Sequence, residues 1–176
     1  MDRTLNGAGE TPMRNKAYWA AFLLGIATMA ATDEVVFHQI LAWHHFYDGS
    51  ASRIGLVSDG LLHAAELFLF VFGFFLMLDA RRRGVFSPAS AWAGFLVGLG
   101  LFQLWDGVMD HKVLRVHQIR YGVELLPYDI VWNLVGGGLL LAGILWTIVL
   151  GRKVNSQGGE ARPGGEEVAG VPRNGR

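Results

Sequence analysis

The sequence predicts an all-α integral membrane protein, a four-helix bundle built from two parallel two-helix repeats. Hydrophobic residues make up 52% of the 176 residues. They are gathered in four apolar runs, each long enough for the roughly 20 helical residues that cross a bilayer. The pattern Asp, four residues, His, five residues, His occurs at 33–44 and again 73 residues later, at 106–117. We interpret this recurrence as two related halves that bring polar side chains to one shared place.

The composition excludes several classes of protein. Formal charges balance to +0 at pH 7, so no basic surface indicates nucleic-acid binding. The chain has no cysteine, which excludes disulfides, thiolate metal sites, iron–sulfur clusters and thioether-linked haem. The His-Glu-x-x-His motif of zinc proteases does not occur. The partner that the composition does predict is the lipid bilayer.

The first half begins with a polar segment, residues 1–16, which we expect to be disordered. The first helix is predicted over about 17–43; it carries no charge up to residue 32, and its last third contains the first motif. Residues 44–58 are predicted to form a turn or short loop. The second helix is predicted over about 59–79, with Ser58 or Asp59 as its N-cap.

The second half repeats this plan. The third helix is predicted over about 88–110, because Pro88 suits a first helical turn, and it runs into the second motif. The fourth is predicted over about 127–150; from residue 130 onward it carries no formal charge, and Asn133 is its clearly polar side chain apart from the Thr147 hydroxyl. Together these helices form a predicted four-helix domain over 17–151. Residues 152–176, rich in Gly, Glu and Arg, are predicted to be a disordered tail.

Basic residues predict the orientation, because they are enriched on the cytoplasmic side. They cluster in the N-terminal segment, at Arg81–Arg83 and at Arg152-Lys153. Against this, Lys112, Arg115 and Arg120 lie between helices three and four. The balance favours two cytoplasmic termini, which places both motifs at the outer ends of helices one and three. Each half then runs in, out and in again, so the repeat is parallel.

Ionisable residues in membrane segments indicate function, since each costs about 2.5–3.5 kcal/mol in hydrocarbon and usually faces the protein interior. We predict a metal site built from imidazoles and carboxylates near the outer membrane face. The strongest candidate ligands are four histidines, and three aspartates are ligands or orient them; two further residues rank next. The four histidines are His38, His63, His111 and His117; the three aspartates are Asp33, Asp59 and Asp106; the two further residues are His44 and Asp129.

Helical geometry leaves the arrangement open. On an α-helix His38 lies about 140° round from Asp33, as His111 does from Asp106. Either these histidines face another neighbour or the helix is irregular after each aspartate. Gly107 makes irregularity easy in the second copy, whereas Glu34 makes it harder in the first. Asp33 and His44 share a face but lie roughly 16 Å apart on a straight helix, too far to bind one ion.

The chemistry allows several functions. Imidazole with carboxylate suits Zn, Cu or Fe, in an enzyme acting on a membrane-associated substrate or in metal handling. A b-type haem carrier is an alternative, with His38 or His63 opposite His111 as axial ligands. A non-catalytic alternative is a proton or ion path, or an assembly partner whose polar core is structural. In that case the aspartates cap or tie helix ends, and Glu66 pairs with a histidine. The shared-site hypothesis predicts that replacing His63 or His111 with Ala removes much of the metal.

The motifs also resemble a known family. The segments Asp-x-x-x-Phe-His-Gln-Ile-Leu-x-Trp-His-His at 33–45, Asp-Gly-Leu-Leu-His at 59–63 and Asp-Gly-x-x-Asp-His-Lys-x-Leu-x-x-His-Gln-Ile-Arg at 106–120 resemble those of uncharacterised bacterial four-helix membrane proteins. The resemblance covers about 17–150. It implies a multi-pass protein of the bacterial inner membrane with a shared His/Asp set, and it suggests respiratory oxidase assembly proteins as partners. In that family glycine usually follows the first aspartate, where this chain has Glu34.

Overall fold

The computed structural model describes residues 10–160, in which helices joined by loops are present and no strand occurs. After a short turn of 3₁₀ helix at Pro12–Arg14, helix α1 spans Lys16–Thr32 and continues as a π-helical segment, Asp33–Ile40. Helix α2 spans Ser52–Arg82. Helix α3 spans Pro88–Trp105 and continues as a second π-helical segment, Asp106–Val113; helix α4 spans Leu125–Glu160. Four helices are long and apolar enough to cross a membrane, as predicted.

The helix ends differ from the prediction in two places. Helix α2 begins at Ser52, so Ser58 and Asp59 lie inside it and do not cap it. The Ser58 hydroxyl donates to the Gly55 carbonyl at 2.6 Å, and Asp59 Oδ1 accepts from the Phe46 amide at 2.7 Å. Helix α4 continues to Glu160, past residue 152, where the tail was expected to begin. The predicted disorder of residues 1–9 and 161–176 lies outside the described residues.

Helices α1 and α3 form the central pair, with α2 packed against α1 and α4 against α3. Two glycines 73 residues apart let the central helices touch. A Cβ on Gly25 would lie 2.3 Å from the Phe95 carbonyl oxygen, and one on Gly98 would lie 2.1 Å from that of Phe22. Because residues 22 and 95 are also 73 apart, the contact is reciprocal. Small residues thus bring the backbones together, as is typical of membrane helices.

The outer helices present apolar surface away from the protein. Large hydrophobic side chains are exposed along α2 and α4, including Leu61, Phe68, Phe75, Leu134, Leu141 and Leu145. In water this would be unfavourable, but a lipid-facing helix needs such a surface. The buried aspartates and histidines lie instead where α1 and α3 end, so the fold concentrates them at one end of the central pair.

Candidate metal centre

The π-helical segments explain how each motif brings its first two polar residues together. A π-helix pairs residues five apart, so His38 stands over Asp33 and His111 stands over Asp106. His38 Nε2 lies 3.3 Å from Asp33 Oδ2, and His111 Nε2 lies 3.2 Å from Asp106 Oδ2. Of the two alternatives left open by the sequence, the irregular helix is the one observed. It occurs in both halves, although one carries Glu34 where the other carries Gly107.

A sharp turn after each π-helical segment returns the second histidine to the same aspartate. The turn needs one residue with left-handed backbone: Ala42, with φ of 47°, and Arg115, with φ of 53°, again 73 residues apart. His44 Nε2 consequently lies 3.9 Å from Asp33 Oδ1 and His117 Nε2 lies 3.3 Å from Asp106 Oδ1. The separation of roughly 16 Å expected on a straight helix therefore does not apply.

One histidine of each half donates a hydrogen bond to a backbone carbonyl of the other half. His44 Nδ1 donates to the carbonyl of Ile119 at 2.9 Å, and His117 Nδ1 donates to the carbonyl of Phe46 at 2.9 Å. Residues 46 and 119 are themselves 73 apart, so these bonds are reciprocal. The His44 and His117 rings stack in parallel between the halves, with centroids 4.5 Å apart and planes 3° apart.

Hydrogen-bond chemistry fixes which nitrogen of these two rings is available. A backbone carbonyl only accepts, so Nδ1 of His44 and of His117 carries a proton, and in the neutral ring Nε2 presents its lone pair. A histidine that ligates a metal through one nitrogen commonly donates through the other in this way. The arrangement is the one that a pair of metal ligands requires.

Buried polar atoms without hydrogen-bond partners converge on one place. Each side chain of the cluster is between 1% and 5% exposed. Nevertheless, the four Nε2 atoms and one oxygen of each aspartate complete no hydrogen bond within the described part of the chain. Since buried polar atoms are nearly always satisfied, six such atoms together form a candidate site for a bound group. The side chains are Asp33, His38, His44, Asp106, His111 and His117, which we call the imidazole cluster.

Within this cluster, ligand atoms are close enough to share an ion. His44, His111 and His117 form one such group, and Asp33, His38 and His44 form a second. In each group the candidate ligand atoms all lie within 4.8 Å of one another. The two groups meet at His44. The cluster can thus hold one ion between the halves or two neighbouring ions.

Two further predicted aspartates contact the outer nitrogens of the cluster. Asp59 Oδ1 lies 3.2 Å from His38 Nδ1 and Asp129 Oδ1 lies 4.0 Å from His111 Nδ1. In addition, Asp59 Oδ2 accepts from His45 Nδ1 at 2.6 Å, and Asp129 Oδ2 accepts from the Lys112 ammonium at 2.5 Å. Both aspartates can therefore orient a ligand histidine while facing away from the six convergent atoms.

The halves differ at the residue after each first aspartate. Glu34 is buried and accepts hydrogen bonds from His38 Nδ1 at 2.7 Å and from Gln39 at 2.8 Å. At Gly107 a Cβ would lie 2.6 Å from the Trp132 ring and 2.7 Å from Asn133 Oδ1. Glu34, His38 and Asp59 form a third group of closely spaced ligand atoms. The sequence predicts that Glu34 makes an irregular helix harder, and it does not predict the hydrogen bond between Glu34 and His38.

His63 lies outside the cluster. Its side chain is 61% exposed, and its Nδ1 is 2.5 Å from Glu66 Oε1, one turn further along α2. Asn133 follows Asp129 by four residues, as His63 follows Asp59, and it donates to the Asp129 carbonyl at 2.8 Å. Of the nine predicted site residues, six form the cluster, Asp59 and Asp129 border it, and His63 does neither.

Burial and neighbouring charge act differently on the two stacked histidines. Burial, reinforced by the nearby His117, His38 and His111, lowers the pKa of His44 to about 2. Burial also acts to lower the pKa of His117, but the Asp106 carboxylate, 3.3 Å from its Nε2, outweighs that effect and raises it. His44 is therefore in the neutral form that binds metals at any physiological pH.

A small polar pocket leads to the cluster from the loops. Its volume is about 180 Å³, and it is lined by residues 42–45 together with Asp48 and Tyr121. His44 belongs both to this lining and to the cluster. The pocket therefore lies beside the cluster at His44.

Comparison with known proteins identifies the family but no activity. No curated protein and no solved structure matches the chain. A family model described as "Predicted membrane protein (DUF2243)" matches residues 20–150, which include all four helices' apolar parts and both motifs. The chain is a member of this family of predicted membrane proteins, DUF2243.

Proposed function

We propose that this protein is an integral membrane metalloprotein that binds transition-metal ions in the imidazole cluster, between its two halves. The observation that carries the proposal is the convergence of six buried atoms that complete no hydrogen bond in the described part of the chain: four imidazole nitrogens and two carboxylate oxygens. Each half contributes one aspartate and two histidines, a set that leaves coordination positions open for a further ligand. Such open positions suit a metal that reacts with, or is passed to, another molecule.

The donor chemistry limits the metal. Neutral imidazole with carboxylate suits Zn, Fe or Cu, whereas an all-oxygen set would favour Mg or Ca. The packing argues against the b-type haem alternative. One form of that alternative needs His63 opposite His111 as axial ligands, but the His63 side chain is 61% exposed and pairs with Glu66 outside the cluster.

The reciprocal contacts support the finer prediction of two parallel repeats. Residues 73 apart make equivalent hydrogen bonds at His44 and His117 and equivalent helix contacts at Gly25 and Gly98. We infer that the halves are related by an axis along the membrane normal, with both motifs at the outer face and both termini in the cytoplasm of a bacterial inner membrane. Assembly of a respiratory oxidase stays an expectation from the family resemblance.

Metal analysis of the purified protein tests the proposal. We expect Zn, Fe or Cu at one or two ions per chain in detergent-solubilised protein, without the Soret band of haem. His117→Ala and His44→Ala should each lower the metal content at least by half, because each removes a ligand and breaks a bond between the halves.

The matched control is His63→Ala, which removes a histidine of α2 outside the cluster and should leave the metal content unchanged. Equal metal in the wild type, His117→Ala and His44→Ala proteins would contradict the proposal. Loss of metal in His63→Ala alone would move the site to the His63–Glu66 pair. A Soret band would establish the haem alternative.

A further inference from the structure

A groove lies between α1, α2 and the start of α3, at the end of the molecule away from the imidazole cluster. Its volume is about 290 Å³. Most of its lining is apolar, with Leu24, Met77 and Phe95 along its length. Trp92 also lines it and is 57% exposed. Because the groove opens on the membrane-facing surface of α2 and α3, it adjoins the lipid.

One charged residue lines this groove. The Arg81 guanidinium lies 4.4 Å from the centroid of the Phe86 ring, which holds it at one end. Nearby, Asp79 pairs with both Lys16 and Arg83; its contact with Arg83 Nε is 2.9 Å. Among the described side chains, those of residues 10–157, no carboxylate lies within ion-pair distance of Arg81 or Arg82.

This end of the molecule therefore carries an excess of positive charge. Arg14, Lys16 and Arg81–Arg83 are gathered where α1 begins and α2 ends, and Asp79 is the acidic side chain paired among them. Exposed tryptophans such as Trp92 are typical of the level of the lipid headgroups. An apolar groove that ends in an arginine at this level matches the two parts of an anionic phospholipid.

We propose that this groove binds one anionic phospholipid. An acyl chain lies along Leu24, Met77 and Phe95, and the headgroup phosphate accepts hydrogen bonds from the Arg81 guanidinium, whose planar fork matches phosphate oxygens. The site is independent of the metal centre, since none of its residues belongs to the imidazole cluster.

Quenching of Trp92 fluorescence by brominated lipids tests this site. The protein is placed in nanodiscs that contain brominated phosphatidylglycerol or, in parallel, the same mole fraction of brominated phosphatidylcholine. The Trp92 signal is the difference between the wild type and Trp92→Phe. We expect phosphatidylglycerol to be preferred about fivefold, consistent with one arginine at a membrane surface.

Three variants give the result its meaning. Arg81→Gln should abolish the preference, Arg81→Lys should keep part of it, and Arg152→Gln, a matched loss of charge at an exposed position of α4, should keep all of it. Equal quenching by the two lipids, or an unchanged preference in Arg81→Gln, would overturn the proposal. Loss of the preference on adding millimolar inorganic phosphate would also overturn it, because the site would then recognise a free anion.

Discussion

Two histidines show how single hydrogen bonds prepare a ligand. His44 and His117 each donate from Nδ1 to a carbonyl of the opposite half, so neither Nε2 can be satisfied by simply turning the ring. Leaving such atoms buried and unpaired costs about 1–3 kcal/mol each. A metal ion would remove that cost. The protein should therefore be more stable with metal than without it, and by an amount that grows with the metal concentration.

Substitution of Asp59 tests whether a carboxylate next to a ligand histidine contributes to metal affinity. Asp59→Asn keeps one oxygen for the Phe46 amide but removes the negative charge beside His38 and His45. We expect metal affinity to fall by about 10- to 100-fold, because an orienting carboxylate is lost while the ligands stay. Competition with a chelator measures this change, and the stoichiometry at saturating metal should be unchanged.

Asp79→Asn is the control, since Asp79 pairs with Lys16 and Arg83 far from the cluster. It should leave the metal affinity at the wild-type value. If Asp59→Asn also binds metal as the wild type does, Asp59 serves only to tie the loop at Phe46 to α2.

The irregular ends of the two central helices, α1 and α3, place the residues of the cluster. Each central helix changes from α to π geometry at its aspartate, which brings residues five apart into line and turns the chain at Ala42 and Arg115. Such segments are rare and frequently occur at functional sites. Their occurrence at equivalent positions in both halves links the local distortion to the cluster.

The close approach of α1 and α3 is testable through its glycines. In Gly98→Val the new side chain would start 2.1 Å from the Phe22 carbonyl oxygen, so the two helices must separate. We expect a loss of about 2 kcal/mol or more in stability, as for overpacked cores, and a lower metal content because the halves no longer meet. Thermal unfolding in detergent and metal analysis measure the two effects.

Gly137→Val is the matched control in α4, where nothing lies within 4 Å of the added Cβ. It should cost far less stability and leave the metal content unchanged. Equal effects of the two substitutions would mean that the loss reflects the valine itself and not the contact between α1 and α3.

At the scale of the whole molecule, the orientation decides from which side the cluster is reached. The chain has no cysteine, so single cysteines can be introduced without background. Ser50 lies in the exposed loop after the first motif, and Ser156 lies near the exposed end of α4. With cytoplasmic termini, a membrane-impermeant maleimide should label Ser50→Cys in intact cells and Ser156→Cys only after permeabilisation.

The reverse labelling pattern would place the cluster on the cytoplasmic side and contradict the predicted orientation. Equal labelling of both positions in intact cells would contradict a chain in which three helices separate them. A cysteine in place of Ser87, in the connection between α2 and α3, should behave like Ser156→Cys and serves as an internal check.

Sequence patterns alone predict the four apolar helices, the family and most of the residues of the cluster. Hydrophobic length and repeated spacing suffice for these, because a bilayer imposes helices and ionisable residues are costly within it. By spacing alone, however, His63 ranks ahead of His44, since Asp59, His63 and Glu66 form a regular stripe on an α-helix whereas His44 is far from Asp33.

Only the tertiary structure reversed that order. The π-helical segments, the left-handed residues Ala42 and Arg115, and the crossed hydrogen bonds to Ile119 and Phe46 bring His44 and His117 into the centre. They depend on contacts between halves that are 73 residues apart, which the local sequence does not encode. In contrast, His63 lies on the outward side of α2, because the packing of α2 against α1 decides which face is buried.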